Sequence, residues 1–244
     1  MDQQFPRNID RLLSAGSVSA LRRVTFGIFR RIGFKRAAYI HSVSGQPGRF
    51  FIDQIGFPAS VSNGYFNDQN QLDDPFPLAT RQFAFPVVWS GVSALQPLSR
   101  RYQIYLAKLR AADLGDGISV SVSGPAGRDG YFALGYGCYG PTMSGRGLAE
   151  LQLTCQAAHN TLCGLSSQSD IEPPGLSKRE VQVLFWMARG KTNSATAQIL
   201  EVSKHTVDTL CKRIYDKLGV NDRVSAVITA LRYGIIPHNA AGNE

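Results

Sequence analysis

The stretch LSKREVQVLFWMARGKTNSATAQILEVSKHTVDTLCKRIYDKLGV, residues 176–220, decides the fold of the C-terminal part of the chain. Ser177 and Glu180 stand at capping-box spacing, at which a hydroxyl accepts from the third helical N–H while the glutamate reaches back to the cap. Behind them Val181, Leu184, Phe185 and Ala188 recur as one apolar stripe, and Gly190 is placed to close the helix. A short second helix is expected over about residues 193–200, followed by a turn at Glu201 and Val202. Ser203 is a good N-cap for a third helix, which keeps Val207, Leu210, Ile214 and Leu218 on one face until Gly219 ends it. Working outward, a fourth helix is expected over about residues 222–233. Asn221 is its expected cap, Val224, Val227, Ile228 and Leu231 point inward, and Gly234 stops it. The result is an all-α, four-helix unit of roughly 60 residues, a size at which small domains still fold alone.

A short helix, a tight turn and a longer helix have the proportions of a helix-turn-helix. Removing the apolar stripe of the longer helix leaves Lys204, His205, Thr206, Asp208, Thr209, Lys212 and Arg213, with Asp216 beyond them. These are hydrogen-bonding and mostly cationic groups, suited to phosphates and base edges of double-stranded DNA. Lys212 and Arg213 can neutralise backbone phosphates or pair with guanine, and Thr206 with the amides of the helix start can hold a phosphate. A charged helix face is otherwise simply a solvated one.

The chain has 244 residues, long enough for two domains, and its 43% hydrophobic and 18% charged composition is that of a packed soluble protein. No run approaches the ~18 apolar residues that span a bilayer, and the N-terminus lacks the apolar core of a signal peptide. The expectation is a cytoplasmic protein with no membrane partner. Net charge is +8. From Glu172 onward ten Lys and Arg face seven Asp and Glu, a net of +3, so the excess is spread along the chain rather than concentrated. Basicity therefore suits a polyanion without identifying one. Cys138, Cys155, Cys163 and Cys211 form no CxxC pair and have no histidine at zinc-ligand spacing, so neither a metal site nor a disulfide framework nor a cofactor is expected. His41, His159, Cys138 and the scattered carboxylates match no nucleophile or acid–base spacing, so no enzyme is expected.

SSQSDIEPPG, residues 166–175, combines small polar residues, two prolines and a glycine, and is read as a linker between domains at 1–165 and 176–244. Upstream, Leu21, Val24, Ile28 and Ile32 recur at helical spacing, and residues 37–43 and 49–56 read as strands. A further strand is expected at residues 85–90 and a helix at 98–114. A hairpin should run from residues 117–123 into 131–137, with a closing helix over about 147–162. Strands with helices before, between and after them imply an α/β sandwich, an antiparallel sheet covered by helices on both faces.

The C-terminal motifs, LSKREVQVLFWMARGKT, AQILEVSKHTV and KLGVNDRVSAVITALRYGII, resemble the helix-turn-helix of LuxR-type regulators almost end to end. By that resemblance Glu180, Leu184 and Gly190 are scaffold positions, and Thr206 and Val207 start the recognition helix. The family usually has Glu and Ile where this chain has Ala195 and Thr196, and often His where it has Leu210. The acidic pair and phosphoacceptor Asp of a receiver domain are not found upstream. Instead residues 57–117 resemble the autoinducer-binding domain of quorum-sensing LuxR-type regulators, with Tyr65, Asp74, Pro75, Trp89 and Gly117 at its spacings.

The resemblance implies a ligand-responsive homodimer whose Asp74 accepts a hydrogen bond from the acyl-amide N–H of an acyl-homoserine lactone. Asp74 is equally placed to cap a helix before Pro75. Tyr65 and Trp89 read either as aromatic walls or as plain core, and Gly117 either as a site with no room for a side chain or as a turn. The family's Tyr and Trp, which donate to the acyl and lactone carbonyls, are replaced by Phe57 and Val61. Each lost donor costs about 1–3 kcal/mol, so a noncanonical small-molecule signal with a bulkier or more apolar head is expected. A ligand-independent regulator, its pocket filled by Phe51, Phe57 and Phe76, is the alternative. Residues 147–162 and the fourth C-terminal helix offer dimer surfaces, or equally core.

Overall fold

A computed structural model describes residues 4–42, 50–59, 61–62, 74–95, 97–111, 114–125, 128–137, 140, 143–166 and 175–237. The chain divides into two compact units, the first ending at Ser166.

In the first unit, α1 (Gln4–Leu13) and α2 (Val18–Ile32) precede the antiparallel pair β1 (Arg36–Ser42) and β2 (Phe50–Ile55). There follow α3 (Phe76–Phe83), β3 (Val87–Val88), a single 3-10 turn (Trp89–Gly91), α4 (Val92–Leu95) and α5 (Arg100–Ala111). The unit is completed by β4 (Asp116–Val122), β5 (Gly130–Gly137) and α6 (Gly145–Leu165). The five strands form one antiparallel sheet in the order β2-β1-β5-β4-β3.

Alternation along the strands sorts side chains to two faces. Ala37, Tyr39, Ile118, Val120, Val122, Phe132 and Leu134 meet Leu12 of α1, Phe26 and Phe29 of α2, and Leu151, Cys155 and Ala158 of α6. Each fully buried aromatic or aliphatic side chain there contributes roughly 1.5–3 kcal/mol. On the other face Ile40, Tyr131 and Ala133 meet Phe76 and Ala79 of α3, Trp89, Val92 of α4 and Tyr105 of α5. This is the sandwich expected from the sequence.

Two details differ from expectation. The strand expected at residues 85–90 is only Val87–Val88, because at Trp89 the chain leaves the sheet in the 3-10 turn. Asp116 holds that turn, its carboxylate accepting from Ser90 N (3.0 Å) and Ser90 Oγ (2.7 Å). α1 is not among the expected helices, α3 begins where Asp74 and Pro75 read as one alternative for a helix start, and α5 is shorter at both ends than the helix expected over residues 98–114.

The second unit holds α7 (Lys178–Ala188), α8 (Asn193–Ile199), α9 (Lys204–Leu218) and α10 (Arg223–Arg232). The capping box forms as read: Glu180 N donates to Ser177 Oγ, and Ser177 N donates to Glu180 Oε2 at 2.6 Å. Ser203 caps α9 by accepting from Thr206 N, and Gly219 ends it at φ 65°. Asp222, not Asn221, caps α10, its side chain accepting from Ser225 N at 2.9 Å.

The expected inward set of α10 is also corrected. Val224 and Ile228 are 66% and 51% exposed, while Ala226 and Ala230 are buried against Val183, Leu184 and Met187 of α7 and against Ile214 of α9. Small side chains let α10 approach closely, so the core side of the helix is the one with the smaller apolar residues. In α7, Val183 and Met187 join Leu184 in the core, while Val181 and Phe185 are half-buried.

Candidate ligand pocket and DNA-reading helix

Between the sheet, α3 and α5 lies a pocket, partly open to solvent, with a cavity volume of about 50 Å³. Phe57, Val61, Asp74 and Trp89, all singled out from the sequence, line it. So does Phe76, named from the sequence as a residue that could fill the pocket, and so do Ile40, Gln54, Tyr105, Tyr131 and Ala133, which were not singled out. Pro75 is buried next to the wall as the residue before α3, and Tyr65 lies outside the described residues. The lining is overwhelmingly apolar and aromatic, with few polar groups, as small-molecule sites are.

Asp74 is 6% exposed, and its Oδ1 accepts from Phe76 N at 2.9 Å. The carboxylate therefore caps the start of α3 while facing the pocket, so the two readings of this residue are compatible. A carboxylate so desolvated requires donors, and a ligand N–H or O–H is a natural one.

Trp89 forms one wall. Its Nε1–H donates to Ser119 Oγ at 2.8 Å, and Ser119 Oγ lies 2.6 Å from Tyr131 OH. Ser119 is fully buried and is not itself part of the lining. The indole lies flat on β4 because Gly117 has no side chain: a Cβ there would sit 2.4 Å from Leu134 O and 2.8 Å from the ring carbons of Trp89. Gly117 is thus a site of close approach rather than part of the lining. Next along the same face, Ser121 bonds Thr80 of α3. The period-2 hydroxyls of GISVSVS are the signal that could have identified this polar seam from sequence.

In the second unit the turn between α8 and α9 passes through Glu201 at φ 53°, which brings the two helices together as a helix-turn-helix. Lys204, His205, Thr206, Lys212 and Arg213 are exposed on α9. Thr209 is half-buried and donates to His205 O. Asp208 departs from the expected contact set: it is half-buried and its Oδ1 accepts from Asn193 Nδ2 at 2.7 Å. The amide ends at the start of α9 are partly used by the cap, Thr206 N donating to Ser203 Oγ at 3.0 Å. What remains outward is a cationic helix face.

No group of three potential metal ligands occurs among the described residues, and no helix there is long and apolar enough to cross a membrane.

Comparison with known proteins agrees with both units. The family model for an autoinducer binding domain matches residues 17–162, and that for bacterial regulatory proteins of the luxR family matches residues 174–230. The putative HTH-type transcriptional regulator y4qH of Sinorhizobium fredii is 28% identical over 158 residues, 64% of this chain, and the match spans about half of that protein, 48%. The quorum sensing-dependent regulator RpaR of Rhodopseudomonas palustris is 28% identical over 183 residues, covering 74% of this chain and 73% of that one. Escherichia coli SdiA superposes with a TM-score of 0.71 at 18% identity, over 96% of this chain and 98% of that chain. A second SdiA structure, in complex with octanoyl-rac-glycerol, gives 0.68 at 19% identity over 98% of each. The structural likeness bears on the fold alone, and the family follows from the matched models: the chain belongs to the luxR family of bacterial regulatory proteins, with an autoinducer binding domain ahead of its helix-turn-helix.

Proposed function

We propose that this chain is a cytoplasmic, ligand-responsive transcription regulator that binds a small acyl signal in the pocket beside Asp74 and reads a promoter operator with α9 as a homodimer. The observation carrying this reading is the coexistence in one chain of an apolar pocket with a buried carboxylate on its wall and a helix presenting Lys204, Lys212 and Arg213. A ligand that binds only the folded sensor stabilises it by RT ln(1 + [L]/Kd), which links occupancy to the population of binding-competent protein. Val224 and Ile228 on α10 and Leu153 on α6, each more than half exposed, supply apolar surface for pairing two copies.

The signal we favour is not an ordinary acyl-homoserine lactone. Phe57 and Val61 offer no donor for the two ligand carbonyls, whereas the buried carboxylate of Asp74 on the wall is an acceptor. A molecule with a hydroxyl or amide N–H at its head and a single carbonyl fits that balance, as does the octanoyl glycerol bound to SdiA.

The test is mass spectrometry of small molecules released from the purified full chain, followed by titration with N-octanoyl-homoserine lactone and octanoyl-rac-glycerol. Tighter binding of the glycerol ester and its loss in Asp74→Asn are expected. That variant keeps the oxygen that caps α3, so its unliganded melting temperature should hold. Nanomolar binding of the lactone by the native chain would overturn the preference. Of the three aromatic residues that the ligand-independent alternative invokes, Phe57 and Phe76 line the pocket, whereas Phe51 lies beside His41 on the opposite face of the sheet, where it cannot fill it.

A further inference from the structure

Asp208 sits on α9 one turn from Lys204 and one turn from Lys212, yet its carboxylate turns toward Asn193, the first residue of α8. The orientation of the Asn193 amide follows from its other neighbours. Arg223 Nη1 at 3.5 Å and Cys211 Sγ at 3.7 Å are both donors to Asn193 Oδ1, so the NH2 end faces Asp208. Arg223, at the start of α10, also donates to the carbonyls of Met187 and Lys191 at the exit of α7. One polar network therefore joins all four helices of the unit and terminates in a carboxylate on the recognition helix.

We infer that Asp208 is a positioning residue for DNA reading and not a DNA contact: through Asn193 it fixes the register of α9 against α8, and so the placement of Lys204, Lys212 and Arg213. This rests on the DNA-reading function proposed above. A carboxylate aimed at a phosphate backbone opposes binding, because affinity for duplex DNA is dominated by cation–phosphate attraction. Turned inward, the same charge strengthens its bond to the Asn193 amide, since charge-assisted hydrogen bonds are about twice as strong as neutral ones. The apolar contacts between the two helices, Ala197 with Val207 and Leu210 in one core cluster, are non-directional and tolerate sliding. A directional bond at 2.7 Å does not.

The experiment uses the full chain and four variants: Asp208→Ala, Asp208→Asn, Asn193→Ala and the Asp208→Ala/Asn193→Ala double. Affinity is measured for a duplex enriched from a randomised pool and for an unselected random duplex, together with the thermal midpoint of the helical unit. Asp208→Ala should lower the ratio of selected to unselected affinity by about tenfold, the worth of one such bond. Asp208→Asn, which removes the charge but keeps an oxygen for Asn193, should hold that ratio near the native value. Asn193→Ala should reproduce Asp208→Ala, and the double variant should be no worse than either. Equal changes in Asp208→Ala and Asp208→Asn on both duplexes would mark a charge at the DNA surface and overturn the inference. Strictly additive losses would do the same. Were the native chain to enrich no duplex, the DNA-reading function would fall, and the midpoints alone would decide the brace by the same criterion of additivity.

Discussion

The indole N–H of Trp89 and the hydroxyl of Tyr131 converge on the single oxygen of Ser119, at 2.8 Å and 2.6 Å, so two pocket walls are held by a side chain the ligand does not touch. Ser119→Ala removes a buried bond from each group, at a cost of about 1–3 kcal/mol. A drop of several degrees in the melting temperature of the sensor unit is expected. The chain has two tryptophans, Trp89 and Trp186, so the Trp89 indole proton is easily assigned by NMR. Its resonance should shift and exchange faster in Ser119→Ala, while an unchanged resonance would show that the bond does not form in solution.

Restoring the missing donors should restore lactone binding. Phe57→Tyr combined with Val61→Trp is expected to raise affinity for N-octanoyl-homoserine lactone by roughly tenfold to a hundredfold per recovered bond. Calorimetric titration checks this, and no gain would mean that these two positions do not face the ligand carbonyls.

On the DNA side, Lys212→Ala with Arg213→Ala should weaken duplex binding at every sequence. If both contact phosphate, the slope of log affinity against log salt falls by about 2, near 0.9 per phosphate contact. A folded double variant with native slope would remove α9 from the interface.

Acid should loosen the first unit through two histidines, one buried and one half-buried. His159 is fully buried, its Nδ1 2.6 Å from Tyr39 OH and its Nε2 2.7 Å from the carbonyl of Arg128. The carbonyl only accepts, so the proton sits on Nε2 and Tyr39 donates to Nδ1. Burial holds His159 below the ordinary histidine range, although the Arg128 carbonyl opposes this, and burial with help from His159 and Arg128 lowers His41 to about 4. The unfolded chain binds these protons first. Stability is therefore complete above the unfolded value of about 6.5 and falls as pH drops below it, by at most roughly 1.4 kcal/mol per pH unit for each histidine until the folded value is reached. Melting temperatures from pH 7.5 to 5 should decline, and less steeply in His41→Gln.

Glu180 makes a link of the same sign in the second unit, through a charged rather than a neutral folded form. Burial alone would raise its carboxyl, but the bonds from Lys217 (2.8 Å) and Ser177 outweigh it and hold the group below the usual range. Its contribution is thus present above the unfolded glutamate value and is lost as pH falls through the lower folded one. Glu180→Gln should melt earlier at neutral pH, and the difference from the native chain should shrink toward pH 3.

The helical unit was legible because its signals are local. Ser177 with Glu180, and Ser203 with Gly219, mark helix ends by short-range hydrogen bonds that a sequence carries within a few residues. On α10 Val227 and Leu231 pack against the core as expected, but the helix is apolar on two sides, and size pointed also to Val224 and Ile228 although Ala226 and Ala230 face the core. In the sensor, Phe57, Val61, Asp74 and Trp89 were found from spacing, whereas Ser119 and Tyr131 enter the site only through the pairing of β4 with β5, and Asp116 only through a contact 26 residues away in sequence. Asp208 reads as a contact because it lies on a cationic helix, and its bond to Asn193 on α8 leaves no mark in the sequence.

Strand β4 divides its labour by parity: Ile118, Val120 and Val122 serve one side, Ser119 and Ser121 the other. The sheet is thereby a partition between an apolar layer packed on α1, α2 and α6 and a layer toward α3–α5 in which buried hydroxyls and aromatic rings stand beside the cavity. Substitutions that retune what the cavity accepts leave the Phe29–Phe132 side untouched. A protein so partitioned can change its vocabulary of signals without having to relearn how to fold.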